Sequence, residues 1–214
     1  AKTTPKTRTM ASPEGDPKSQ EDRDANAVAD LLISRCLRLV AMGAHILVEN
    51  PALSYMWLLP KMLLLIGLPG MHLVRIDHCT CGMRYKKPQF WLTTNPEMMK
   101  EGEVCFHPTK HPETLVGSGK TRASAPYPKV LAERITHAWG RCFTNDRKIR
   151  KDTKDAARAM FRDLYGESAN QEKTDADKSL HEEVSRIGHT MVIRGRRGAE
   201  AGSSDTTREE DTSH

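Results

Sequence analysis

The chain has 214 residues with a net charge of +5, a pI near 9.0 and 37% apolar residues. That length suits one domain with tails, and the apolar fraction falls below the roughly 45–50% of globular chains, so part of it is expected to stay disordered. The charge fits a nucleic-acid partner, and the run from Met56 to Leu68, broken by Pro60 and Lys61, is too short to span a bilayer.

Residues 1–25 are polar and charged, without the apolar core of a secretory signal, and are expected to be mobile or draped over the domain. The first residue is Ala, which points to a processed chain or a piece of a longer one. The five cysteines are expected as reduced thiols in an intracellular protein of the nucleus or cytoplasm, not a secreted one. Apolar residues from Ala27 to Met42 recur at helical spacing, with Asp24 as a cap and Gly43 as the stop. Ile46-Leu47-Val48 then forms a buried strand that ends at Glu49-Asn50-Pro51. In open α/β sheets ligands bind beyond the carboxyl ends of strands, which places Glu49 and Asn50 at a candidate site.

A second helical pattern runs from Leu53 to Ile66, interrupted near Pro60. His72 to Asp77 alternates as a strand, Cys79 to Gly82 makes a turn, and Arg84, Lys86 and Lys87 form a basic cluster. Gln89 to Thr94 reads as another strand. Tyr127-Pro128 opens an apolar helix, a further amphipathic helix is expected over 154–165 and another over 175–187, and the last twenty residues look disordered.

Glu49-Asn50-Pro51 after a strand, the Gly82 turn with its basic residues before the strand at Phe90, and Ala125-Pro126-Tyr127-Pro128 opening a helix together resemble the second half of the DNA cytosine-5 methyltransferase fold, in a divergent branch. The resemblance covers residues 25–140 and implies a partial doubly wound, Rossmann-like sheet of the S-adenosylmethionine-methyltransferase type, with disordered termini. It implies that Glu49 holds the N3 and exocyclic amine of a flipped cytosine, a match of carboxylate to donor edge. Asn50 would shape the turn, and Arg84, Lys86 and Lys87 would contact the base and the backbone, with DNA as the partner. The family's valine is replaced by Pro51, and its Gln-x-Arg-x-Arg form is missing from the basic cluster. The family's Pro-Cys nucleophile loop and the glycine-rich strand that holds S-adenosylmethionine lie upstream of the Glu-Asn-Val strand; here the only earlier cysteine is Cys36, inside a helix. The chain is therefore expected to be inactive alone, a fragment or degenerate member that retains base contacts.

Cys79, Cys81, Cys105, His107 and His111 offer sulfur and imidazole donors for a zinc ion, which would be structural and would pin the long loop to the turn beside the basic cluster. This supports the alternative of a non-enzymatic, zinc-stabilised nucleic-acid-binding module of mobile-element origin. Gly117-Ser118-Gly119-Lys120-Thr121 lacks the first glycine and the preceding strand of a P-loop, and reads as a flexible basic loop.

Overall fold

Three strands and four helices make up a computed structural model that describes residues 7–113, 115, 127–145 and 147–166. Helix α1 spans Gln20–Met42, strand β1 Leu47–Pro51, helix α2 Pro60–Ile66, strand β2 His72–Asp77, strand β3 Pro88–Thr93, helix α3 Lys129–Thr144 and helix α4 Lys151–Tyr165. Short 3-10 turns lie at Tyr55–Leu58, His78–Cys81 and Pro96–Glu101. The glycine-lysine stretch at 117–121, the expected helix at 175–187 and the last twenty residues lie outside the described residues.

The α/β class is as expected, but the sheet is built differently from a doubly wound one. Its order is β1-β3-β2, and both neighbouring pairs are antiparallel. β1 and β2 run parallel to one another with α2 in the connection, but β3 is inserted between them, giving a split β-α-β unit. β3 is central because its residues are the most continuously apolar, Phe90-Trp91-Leu92, and it hydrogen-bonds on both edges. β1 is an edge strand, and this lets it carry Pro51 at its last ladder position, paired with Gln89. The strand therefore passes through Glu49 and Asn50 instead of stopping before them.

Alternation along the strands sorts the side chains onto two faces. Leu47, Glu49, Val74, Ile76, Gln89 and Trp91 share one face by register. There Val74, Ile76, Cys81, Trp91, Met98, Leu131 and Ala138 form a single buried core, with Leu47 and Ile135 against it. Phe90, on the other face, meets Trp57 edge-to-face at 6.0 Å.

Helix α1 starts at Gln20, ahead of the expected Ala25, because Ser19 and not Asp24 caps it: the Ser19 hydroxyl accepts from the Asp22 amide. Arg8 ties the preceding segment to this helix, donating from Nε to Asp22 at 2.9 Å and from Nη2 to Asn26 at 2.9 Å. Pro60 starts α2 and does not kink it; its missing N–H costs nothing at the first helical position. Helix α4 packs on α1, with the Arg38 guanidinium 4.9 Å over the Phe161 ring and the Tyr165 hydroxyl donating to Asp30. The compact unit thus runs to Tyr165 and includes α4.

Candidate metal centre and the Glu49 network

The turn after β2 is the junction from which both candidate sites are built. Asp77 ends the strand, and His78–Cys81 coil into a 3-10 turn. Gly82 closes that turn in the left-handed region, at φ +85°, where its amide donates to the Cys79 carbonyl. Asp77 is fully buried and receives two hydrogen bonds from Arg75, at 2.9 and 3.2 Å, and one from the Cys105 amide at 3.1 Å. Lys86 stands 3.7 Å away. Burial pushes the Asp77 pKa up, but the Arg75 hydrogen bonds, the Cys105 amide and the two cations outweigh it and leave the carboxyl below its ordinary value.

Asp77 also anchors a second segment. Its amide donates to the Glu103 carbonyl at 3.0 Å, and the Glu103 amide donates back to Arg75 at 2.9 Å. At the other end the Glu113 amide donates to the Arg84 carbonyl at 3.2 Å. Both ends of the 104–112 loop are thus fastened to the β2 turn, as isolated parallel bridges Ile76–Glu103 and Tyr85–Glu113.

This double fastening brings Cys79, Cys105, His107 and His111 together, with one donor atom from each lying within 4.8 Å of all the others. Cys105 Sγ is 2.9 Å from His107 Nδ1 and 3.4 Å from His111 Nε2. A tetrahedral zinc with sulfur at about 2.3 Å and nitrogen at about 2.0 Å has ligand-to-ligand edges of roughly 3.3–3.8 Å. The cluster is therefore close to a zinc-sized shell, and its two sulfurs and two imidazoles are a donor set that zinc takes. Burial raises the Cys79 thiol to about 11, helped by Cys105. The Cys105 thiol lies below its ordinary value, chiefly through a backbone hydrogen bond from His107, with burial opposing and the His107 ring reinforcing it. The four residues can hold a metal ion.

Cys81 does not join them. The turn rotates it into the core, 5% exposed, where its sulfur accepts from Arg134 at 3.7 Å. A C-x-C pair on a 3-10 turn cannot face one ion with both sulfurs when three residues complete each turn.

His78, beside Cys79 in sequence, points the other way. Its Nε2 donates to Gln89 Oε1 at 2.6 Å, and Gln89 Nε2 donates to Glu49 Oε1. Tyr127 donates its hydroxyl to Glu49 Oε2 at 2.9 Å. Burial lowers the His78 pKa and Gln89 opposes this, with the Lys87 charge lowering it further. Its Nδ1 has no partner among the described residues. Burial and then Glu49 raise Tyr127 to about 12. The structure therefore brings together the strand glutamate and the tyrosine that opens α3, two of the elements singled out in sequence, and adds Gln89 and His78, which sequence reading missed. No local signal marks Gln89, because its approach to Glu49 depends on the β1–β3 register.

Asn50 faces away from Glu49 and donates to Ser54 Oγ at 2.8 Å, which fixes the turn after β1. In the basic cluster, Arg84 pairs with Glu113 at 3.3 Å, Lys86 approaches Asp77, and the Lys87 carbonyl accepts from the His78 amide at 3.1 Å. Cys36 is buried in α1 and its thiol is pushed up to about 11, which is the opposite of an activated nucleophile. Gly43 caps α1. No helix among the described residues is long and apolar enough to cross a membrane. No family model, no curated protein and no solved structure matches this chain.

Proposed function

We propose that this chain is a zinc-stabilised nucleic-acid-binding module without catalytic activity of its own, working inside the cell where its thiols stay reduced. The observation that supports it is the Cys79, Cys105, His107 and His111 cluster, contributed by a strand-end turn and by a loop fastened at both ends. Four protein donors leave a zinc ion no open position, the pattern of a structural site. Zinc then serves to hold the loop against the turn that carries Arg84, Lys86 and Lys87, and the basic charge of the chain supplies attraction to phosphates. Metal analysis and a salt titration of nucleic-acid affinity test this together. One zinc per chain, and an affinity that falls linearly with log salt, are expected. A metal-free, folded protein, or binding that ignores salt, contradicts it.

Glu49 favours a second reading. The resemblance to cytosine-5 methyltransferases gives Glu49 the base-holding role, and Gln89 and Tyr127 both donate to its carboxylate. In that reading the nucleophile and S-adenosylmethionine belong to a part outside this stretch. Titration with a cytosine nucleoside should shift the Tyr127 and Gln89 resonances. Shifts confined to the metal loop would remove Glu49 from the binding account.

A further inference from the structure

Phe106 stands on the surface of the metal loop. It is 88% exposed, although phenylalanine is among the residues most often found inside. Single exposed apolar residues are common and carry no message by themselves. Phe106 differs in where it stands. It lies between Cys105 and His107, two members of the metal cluster, on a loop bridged to the β2 turn at Glu103 and Glu113. Its backbone is held at both flanks, so the ring is carried on a positioned support and little ordering is left to be done on binding.

Between the Cys79–Arg84 turn and the 107–112 segment is a cavity of about 300 Å³, lined in part by Cys79, His107 and His111 of the cluster. Arg84 and Lys110 line it, with the hydroxyl-bearing Thr109. Two thiolates neutralise a zinc dication, so the positive potential of this cavity comes from those two side chains and not from the metal. One carboxylate competes: Glu113 lies 3.3 Å from Arg84. The two side chains are 72% and 50% exposed, and a pair so open to water is weak enough for a phosphate to displace. An exposed aromatic ring on the loop that borders a small cationic cavity is the combination that holds unpaired nucleotides. The base stacks on the ring, and the phosphate finds the cations. A duplex hides its base faces and cannot use the ring.

We infer that the 105–111 loop binds single-stranded nucleic acid, with Phe106 as the stacking platform and Arg84 and Lys110 as phosphate contacts. This rests on the reading of the chain as a zinc-stabilised nucleic-acid-binding module and names the form of nucleic acid it takes.

The test is fluorescence anisotropy on the zinc-loaded full chain, with oligothymidylate, oligouridylate and a blunt duplex of equal length as separate arms. Single strands should bind more tightly than the duplex. Phe106→Ala should weaken single-strand binding by about tenfold and leave the salt slope unchanged. Arg84→Ala with Lys110→Ala should reduce the slope by about 0.7 for each cation removed. All three side chains are exposed, and zinc content with circular dichroism verifies that the variants fold. If salt-dependent binding persists but Phe106→Ala binds like the parent, or the duplex binds as well as the single strands, this inference falls and the broader module reading stands. If the zinc-loaded chain binds no nucleic acid in any arm, both fall.

Discussion

His78 and Cys79 are neighbours in sequence and belong to opposite regions of the molecule. His78 turns into the sheet face and joins Gln89, Glu49 and Tyr127, where protein groups supply the hydrogen bonds. Cys79 turns out to meet Cys105, His107 and His111, where four electron-pair donors crowd around a space with no protein cation among the cluster members. In the first region protein groups pair with one another, His78 Nδ1 excepted. The second is a set of like-natured donors that repel unless protons or a cation separate them. A polar cluster that satisfies itself stabilises the fold, whereas one made only of donors to metal points to a missing positive partner.

That contrast can be broken at several points. The largest effect is expected at the metal. Cys79→Ser, or chelation of the parent protein, should release zinc and cost about 4 kcal/mol, the linkage expected when free zinc stands a thousandfold above its Kd. Thermal melts with and without chelator measure this, and amide exchange should accelerate across residues 103–113 while β3 stays protected. Asp77→Asn comes next. It leaves Arg75 facing a neutral group and loosens the Cys105 amide, at a cost of about 3 kcal/mol in chemical denaturation. Because the folded Asp77 pKa is depressed, its contribution is present above the unfolded value of about 3.9 and is lost as pH falls further, through the folded value. The Asn variant should therefore lose that part of the acid transition.

A smaller effect, about 1–2 kcal/mol, is expected for Glu49→Gln, which keeps the shape but weakens two hydrogen bonds by removing the charge. Spectrophotometric titration should show the Tyr127 pKa falling from about 12 yet staying above the ordinary value of about 10, since burial is the larger cause of its shift. In the parent protein, the stability due to neutral Tyr127 is full below pH about 10 and is lost as pH rises toward about 12. Zinc content should not change in this variant, and a change would mean that the two regions are not separate. The smallest effect is expected at Cys81→Ser. It places a hydroxyl in the core for about 1–2 kcal/mol but leaves one zinc per chain, measured by native mass spectrometry.

Much of this was legible in the sequence. The β2 strand and the interruption of the helical pattern at Pro60 follow from local pattern and proline chemistry, though Pro60 opens α2 and does not kink it. The metal donors were legible as a composition of cysteine and histidine. Which of them converge was not, because Cys81 is excluded by the three-residue period of a 3-10 turn and Cys105 is delivered by a backbone bridge from Glu103 to β2. The sheet order was hidden for a similar reason. A strand ending in Glu-Asn-Pro reads as the end of a parallel strand, but β1 continues through Pro51 as an antiparallel edge beside β3. Pairing between strands forty residues apart leaves no mark in either strand alone. The Glu49–Gln89 contact, across that same pairing, was invisible until the register was known.

X-ray absorption at the zinc edge of the purified full chain tests the central claim most directly. The account predicts one zinc with two sulfur neighbours at about 2.3 Å and two nitrogen neighbours at about 2.0 Å, a shell kept in Cys81→Ser and lost with the zinc in Cys105→Ser. A shell with three sulfurs, a shell of oxygens, or a protein that folds without zinc would contradict it.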